Sequence, residues 1–440
     1  MVNDGLTATG TREPPPQERP YWWADAPPPA EGDVPHPLPD RADVAIIGGG
    51  YTGLSAARSL ARGGASVAVL EARTLGFGAS SRNGGQVLTG LKPGADALLA
   101  RFGRERARQM FGASLLAIDF LETLVTAERI DCAFSRAGHL DAAFKPAHYE
   151  RFRREQAVLL REFDHPVRLI PRGEQRQELG TDYYHGLMLD ERSACLHPAR
   201  YLRGLAAAAA RAGATLCEGA GVLSVLPAHA GFRLVTSRGS LTARDVLVAT
   251  NGYTDRAVPA VRRRLVPVGS YIIATRPLPP DQAKALLPRR RVVFDSKRFL
   301  YYFRLSDDDR LLFGGRGQFT PATERSTRTS AEVLRRGMVQ VFPDLAGVPV
   351  EYAWSGNVAF TPDLLPRAGR LNGLHYALGY AGHGVAMATY LGDVMADVLL
   401  GRPDRNPFRG LPFPAIPLYD GRPWFLPLVG AWYKVLDWLR

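Results

Sequence analysis

The texture of the chain changes at Asp43, where ordered hydrophobic patterning begins. Val44-Ala45-Ile46-Ile47 is an uninterrupted apolar run, as in a central parallel strand covered on both faces. A glycine turn follows, then Leu54, Ala57, Leu60 and Ala61 at helical spacing, with Gly63-Gly64 as a stop and Val67-Ala68-Val69-Leu70 as a second buried strand. This is a β-α-β unit. Residues 74–94 are glycine-rich and aperiodic, which predicts a long functional loop. Amphipathic spacing predicts helices over 95–130 and 146–163, with short strands at 138–144 and 167–170. Pro198 opens a further helix that runs to about Arg211 and closes at Gly213. Strand patterns follow at 214–218, 222–226, 231–236 and 246–249. A second block lies at 266–275, 292–295, 299–305 and 310–315, with Asp307-Asp308-Asp309 as a hairpin tip. A helix near 330–341, strands near 350–359 and 374–378, and a long helix over 384–400 complete the body.

Dinucleotide-type elements therefore open the chain and return near 215–255 and 370–400, with β-rich segments inserted between them in pieces. The pattern predicts a mixed α/β and α+β protein with a Rossmann-like unit and an inserted mixed β-sheet. Before it, residues 1–40 are polar and proline-heavy, which predicts an extended, weakly ordered arm; within it Tyr21-Trp22-Trp23 is the one feature suited to docking on the body.

Composition narrows the function classes. The 55 Lys and Arg against 43 Asp and Glu leave a net charge of +12, almost all from Arg, with Lys only at Lys92, Lys145, Lys284, Lys297 and Lys434. The arginines are scattered rather than gathered in a stripe, which argues against a nucleic-acid partner. Cys132, Cys195 and Cys217 have neither CxxC nor metal-ligand spacing, so no metal site is expected and a reducing compartment is. No run approaches the roughly 18 uninterrupted apolar residues of a membrane span, and the N-terminus lacks a secretory pattern; the expectation is a cytoplasmic protein.

Gly48-Gly49-Gly50-Tyr51-Thr52-Gly53 carries GxGxxG after a buried strand and before a helix, with Glu71 ending the next strand. Gly48 permits the tight turn, Gly50 lets a pyrophosphate approach the backbone, and Gly53 allows close helix–strand packing; Glu71 accepts hydrogen bonds from a ribose and disfavours a 2′-phosphate. Gly78-Ala79-Ser80-Ser81-Arg82-Asn83-Gly84-Gly85-Gln86 joins small residues, hydroxyls, a cation and amides, and suits wrapping a flat polar ring system, which selects FAD over NAD. Val248-Ala249-Thr250-Asn251-Gly252-Tyr253 is a strand ending in small residues. Gly379-Tyr380-Ala381-Gly382-His383-Gly384-Val385 opens the last long helix and offers free amides at its positive end. His383 is either close to the cofactor or a turn histidine with its own partners.

Taken together, Glu71-Ala72-Arg73 and the segments GASSRNGGQ, VLVATNGYT and GYAGHGV resemble the D-amino-acid oxidase superfamily of FAD enzymes over roughly residues 41–430, and within it the γ-glutamylputrescine oxidase-like amine oxidases. The resemblance implies a discontinuous FAD-binding domain of glutathione-reductase-like fold at 41–130, 190–260 and 350–405. It also implies a substrate-binding domain at 131–189 and 261–349, followed by an aromatic C-terminal extension over 406–440. Val222, Trp354 and Gly356 join the expected FAD contacts. The implied chemistry is oxidation of the C–N bond of a primary or secondary amine, including γ-glutamylated amines, to an imine. Water releases aldehyde and amine, and O2 reoxidises the flavin to give H2O2. The alternatives are an amino-acid dehydrogenase feeding a quinone, and a flavin-binding protein without turnover.

Relatives that oxidise sarcosine attach FAD through a Cys, but Trp354 to Asp363 contains none, so FAD is expected to be non-covalent. Those enzymes hold the substrate carboxylate with a Lys just after the GHG turn, where Ala386 stands here, so small N-methyl amino acids are disfavoured. Tyr302, from the pair Tyr301-Tyr302, and Arg316 are expected to line the substrate pocket with His383; sheet packing and a surface ion pair are the competing roles for the first two. Trp354, Tyr253 and Tyr271 are further aromatic candidates. From Leu428 on, Trp432, Val435, Leu436 and Leu439 share one helical face, suited to packing on the body or to peripheral contact with a partner or membrane surface.

Overall fold

The computed structural model describes residues 15–28, 37–315, 321–428, 430 and 432. Strand β1 (Arg41–Ile47) lies centrally, parallel to β2 (Val67–Leu70) on one side and to Gly239–Val248 on the other. Helix α1 (Tyr51–Arg62) crosses between β1 and β2. Among the described residues the first sheet has eight strands. The path from one edge runs Arg367–Leu371, Leu374–Leu378, Gly239–Val248, β1, β2 and Thr215–Cys217, with the Val222–Ala228 and Gly231–Thr236 hairpin off its side. Val44 to Ile46 are fully buried because α1 covers one face and the hairpin side the other, which explains the unbroken apolar run.

Eight strands also form the second sheet, in the order Val350–Phe360, Val266–Thr275, Leu311–Gly315, Tyr301–Leu305, Val292–Asp295, His139–Ala142, Leu187–Asp190 and Arg168–Ile170. Its pairs are antiparallel except Val292–Asp295 with His139–Ala142. The expected hairpin tip at Asp307-Asp308-Asp309 joins the antiparallel strands Tyr301–Leu305 and Leu311–Gly315. Helix Glu324–Val341 starts six residues earlier than periodicity predicts, because Thr323 and Ser326 form a capping box there. Among the described residues one helix, Ala95–Ala127, is long and apolar enough to cross a membrane by length and composition. Its Ala107, Met110, Ala117, Ile118 and Leu121 are buried in the first core, as in a core helix, and it breaks at Gly103, whose φ is 73°.

Residues 15–28 of the N-terminal arm depart from the weakly ordered reading, and Tyr21-Trp22-Trp23 docks on the body as its aromatic run suits it to do. Gln17 exchanges backbone bonds with Glu351 and Ala353 at the edge of the second sheet (2.8 and 3.0 Å), and Trp22 is buried with Ile272, Leu312, Tyr352 and Trp354. Proline's fixed φ did not leave this stretch loose, because two indoles and a sheet edge gave it partners. At the other end Leu426 is buried against Val268, while Leu428 and Trp432 are exposed; the rest of the apolar face expected there lies outside the described residues.

Candidate functional site

Two cavities meet at the C-terminal end of β1. The larger, about 390 Å³, is lined by Gly48, Gly50, Tyr51 and Thr52 from the first turn, Glu71, Ala72 and Arg73 from the end of β2, Gly78, Ala79, Ser80 and Asn83 from the loop, and Val222, Ala249, Thr250, Asn251 and Tyr253. Tyr380, Gly382, Gly384 and Val385 close it.

The turn has the geometry that close approach requires. Gly48 has φ 108°, and a Cβ on Gly53 would stand 2.0 Å from the Gly48 carbonyl oxygen, so α1 meets β1 only through glycine. Gly53 therefore packs the helix rather than lining the cavity. Gly50 is extended, and a Cβ there would meet the Ser80 hydroxyl at 2.8 Å. Ser80 Oγ accepts from Tyr51 N (3.1 Å), so the loop caps the helix; the other first-turn amides have no intrahelical acceptor. Glu71 accepts from Gly49 N (2.8 Å) and Arg73 N (3.1 Å), and each oxygen keeps a second lone pair for a hydroxyl. Burial raises its carboxyl above the ordinary range, against the pull of those amides.

The loop is held from within and from behind. Asn83 Nδ2 donates to Ala79 O and Ser80 O, and its Oδ1 accepts from Gly85 N. Arg82 Nε donates to Phe77 O (2.7 Å) while its guanidinium lies over Phe77 and Trp23. The buried Arg304 reaches Gly85 O and Leu196 O (3.3 and 2.9 Å). Several predicted contacts belong to this support and not to the cavity surface. Ser81 Oγ donates to Gly76 O, Gly85 backs onto Leu196 O, and Gly252 backs onto Asn357 O. Gly379 N donates to Asn251 Oδ1, tying the two cofactor-side segments together, and Thr52 Oγ1 joins Tyr380 Oη at 2.6 Å. Trp354 is corrected likewise: it is buried behind the loop, its Nε1 donating to Arg82 O (2.8 Å). Tyr271 is a core residue bonded to Ser326.

The second cavity, about 180 Å³, shares Ala79, Asn83, Gly382 and Val385 with the first. Arg82, Gly84, Gln86, Lys92, Phe294, Tyr302, Gly356 and His383 also line it. Strand alternation turns Tyr302 inward, where its Oη meets Ser270 Oγ (2.9 Å), and Tyr301 toward the Phe313 core. Burial, with the nearby Lys92 charge, holds the His383 imidazole down at about 3, so it is neutral, and its Nδ1 has no hydrogen-bond partner among the described residues. Arg316 lies outside the described residues. Sequence reasoning missed Lys92, Ser270 and Phe294; the signal for Lys92 was a rare lysine near the end of the glycine-rich loop.

The glycine cradle, the acceptor at Glu71 and the orphaned His383 nitrogen in the second cavity, next to the shared Gly382, fit a dinucleotide such as FAD. Known proteins agree. The chain is 33% identical over 402 residues to the gamma-glutamylputrescine oxidoreductase of Escherichia coli, covering 90% of this chain and 92% of that one. It is 35% identical over 424 residues to a probable oxidoreductase, OrdL, of Rhizobium meliloti, covering 95% and 97%. Among solved structures, glycine oxidase from Geobacillus kaustophilus superposes with a TM-score of 0.73 at 24% identity, over 86% of this chain and 99% of that one. Residues 43–398 match the model of the FAD-dependent oxidoreductases called DAO, and with the cradle and the coverage of these relatives, it is to that FAD-dependent family that the chain belongs.

Proposed function

We propose that the protein oxidises the C–N bond of a primary or secondary amine, a γ-glutamylated amine foremost, to an imine that water hydrolyses to aldehyde and amine. The reading is carried by the second cavity, an apolar chamber joined to the dinucleotide cavity and lined by two cations, Lys92 and an Arg82 engaged with Phe77 and Trp23, beside a neutral His383. FAD, when bound in the dinucleotide cavity, would supply the two-electron acceptor, with O2 as the final oxidant, reduced to H2O2.

The chain's own residues do the rest. An amine donates only when unprotonated, and the wall of Phe294, Leu88, Ile272 and Phe360 disfavours an ammonium by desolvation. His383 adds no positive charge of its own, and its Nδ1 is a hydrogen-bond partner rather than a proton store. Tyr302 orients the amine through an Oη already aligned by Ser270. Lys92 takes a carboxylate remote from the reacting carbon, which a γ-glutamyl group carries and a simple alkylamine lacks. Attachment of FAD is non-covalent, since no cysteine is among the lining residues and Cys132, Cys195 and Cys217 are buried elsewhere. Unpaired buried thiols suit a cytoplasmic location.

Anaerobic bleaching of the flavin by a panel of amines tests the reading. γ-Glutamylated amines should bleach it faster than sarcosine or glycine by about one to two orders of magnitude, the value of one charge-assisted contact. Equal bleaching by sarcosine would refute the substrate class. Dye reduction without peroxide on return to air would refute O2 as acceptor.

A further inference from the structure

The flavin loop shows its carbonyls to the outside and is gripped there. Trp354 Nε1 donates to Arg82 O (2.8 Å), Trp22 Nε1 donates to Asn83 O (2.8 Å), and Arg304 with the Leu196 amide holds Gly85 O. Trp23 Nε1 adds a bond to Ser81 Oγ (3.1 Å) and its ring lies under the Arg82 guanidinium. Two of these donors, Trp22 and Trp23, arrive on the N-terminal arm, about sixty residues away in the chain.

The Trp22 bond has a directional consequence. The described peptides are all trans, so the carbonyl and the N–H of one peptide plane point in opposite directions. With Asn83 O fixed toward the buried indole, the N–H of Gly84 is turned to the other side, and Gly84 lines the second cavity. Among the described residues that N–H has no acceptor, whereas the neighbouring Asn83 N–H is taken by Ala79 O. A side chain at 84 would press on the Tyr302 ring, 3.3 Å from the added Cβ, so the backbone itself forms the wall. The arm is anchored independently of the loop: Tyr21 Oη donates to Asp308 Oδ1 (2.6 Å), Gln17 pairs with the strand at Tyr352, and Arg328 holds Glu18.

We infer that Trp22 is a positioning residue for the FAD site: the N-terminal arm is a strap that fixes the Asn83–Gly84 peptide and so presents the Gly84 N–H as a hydrogen-bond donor in the second cavity, beside Asn83, which lines both cavities. The inference rests on FAD occupancy and on no particular amine, so the substrate reading can fail without it.

Trp22→Phe keeps the ring in its cluster and removes the donor. The expected result is a melting temperature of the apoprotein close to that of the native chain, with the FAD dissociation constant raised about five- to ten-fold. Faster amide exchange in a peptide spanning 83–86 and a changed visible spectrum of the bound flavin should accompany it. Unchanged FAD affinity and unchanged exchange would overturn the inference and leave Trp22 as packing. Should Trp22→Phe not fold, Trp23→Phe at the less buried neighbour carries the test through Ser81: a smaller rise in the same direction supports the strap, and native FAD affinity overturns it.

Discussion

Gly50→Ala isolates how the cradle admits a phosphate. Gly50 has φ −92° and ψ −170°, an extended conformation open to any residue, so the backbone does not resist the change. The added Cβ would meet Ser80 Oγ at 2.8 Å and Ser80 Cβ only at 3.8 Å, so a rotation of one hydroxyl relieves the clash. That rotation breaks the Ser80 bond to Tyr51 N, a net cost of about 1 kcal/mol to the fold. The larger effect falls on FAD, because the methyl occupies the space through which a pyrophosphate reaches the helix amides. Losing one charge-assisted bond of about 1.5–3 kcal/mol raises the dissociation constant by about one to two orders of magnitude. Titration of apoprotein with FAD, followed by fluorescence beside thermal melts, measures both effects. Ser80→Ala alone and combined with Gly50→Ala separates the causes: the double variant should remain as weak as Gly50→Ala. Native affinity in Gly50→Ala, or its restoration in the double variant, would refute the phosphate argument.

Other consequences are equally direct. Gly53→Ala sets a methyl 2.0 Å from a backbone oxygen that cannot rotate away, so it should destabilise the fold by more than about 3 kcal/mol and yield little soluble protein; a normal melt would refute the packing role. Acid precipitation should release all flavin as free FAD, and flavin in the pellet would mean covalent attachment. Lys92→Met should raise KM about ten-fold or more for carboxylate-bearing amines and leave alkylamines nearly unchanged, whereas equal effects on both would make Lys92 structural. Burial holds His383 at about 3 against an ordinary value near 6.5, so between those pH values the unfolded chain binds more protons there. This site's contribution to stability should therefore fall as pH drops from 7 to 4, with His383→Asn flattening that slope in apoprotein melts; an unchanged slope would show that His383 is not its source.

Where periodicity decides structure, the chain was readable. Val266–Thr275 and Gly231–Thr236 lie where alternation predicts them, and the turn at Gly48–Gly53 follows from the steric role of each glycine. The short strands Gln86–Val87 and Ala194–Cys195 carry too few residues to show a period and exist because they pair with each other. Trp354 is expected as a cofactor contact on the family resemblance alone. Its indole instead donates backward to Arg82 O, a distinction set by which side of the second sheet that position of Val350–Phe360 faces. Only the Tyr21-Trp22-Trp23 run marked the arm as able to dock; where it docks is set by partners at 83, 308 and 351, of which local sequence carries no trace.

The interleaving of the two sheets has a consequence for biosynthesis. Lining residues of the dinucleotide cavity run from Ile47 to Ala388, and the first sheet is incomplete until Leu374–Leu378 joins Gly239–Val248. A nascent chain on the ribosome therefore displays the apolar faces of β1 and β2 for most of its synthesis without the strand and helix that later cover them, and pairings of such long sequence separation form slowly. FAD cannot be captured by an emerging N-terminal half; it enters a chain that is almost finished and acts as a late clasp across segments translated far apart. Flavin supply during expression should thus govern how much of the newly made chain escapes aggregation, more than it governs the rate at which the chain is made.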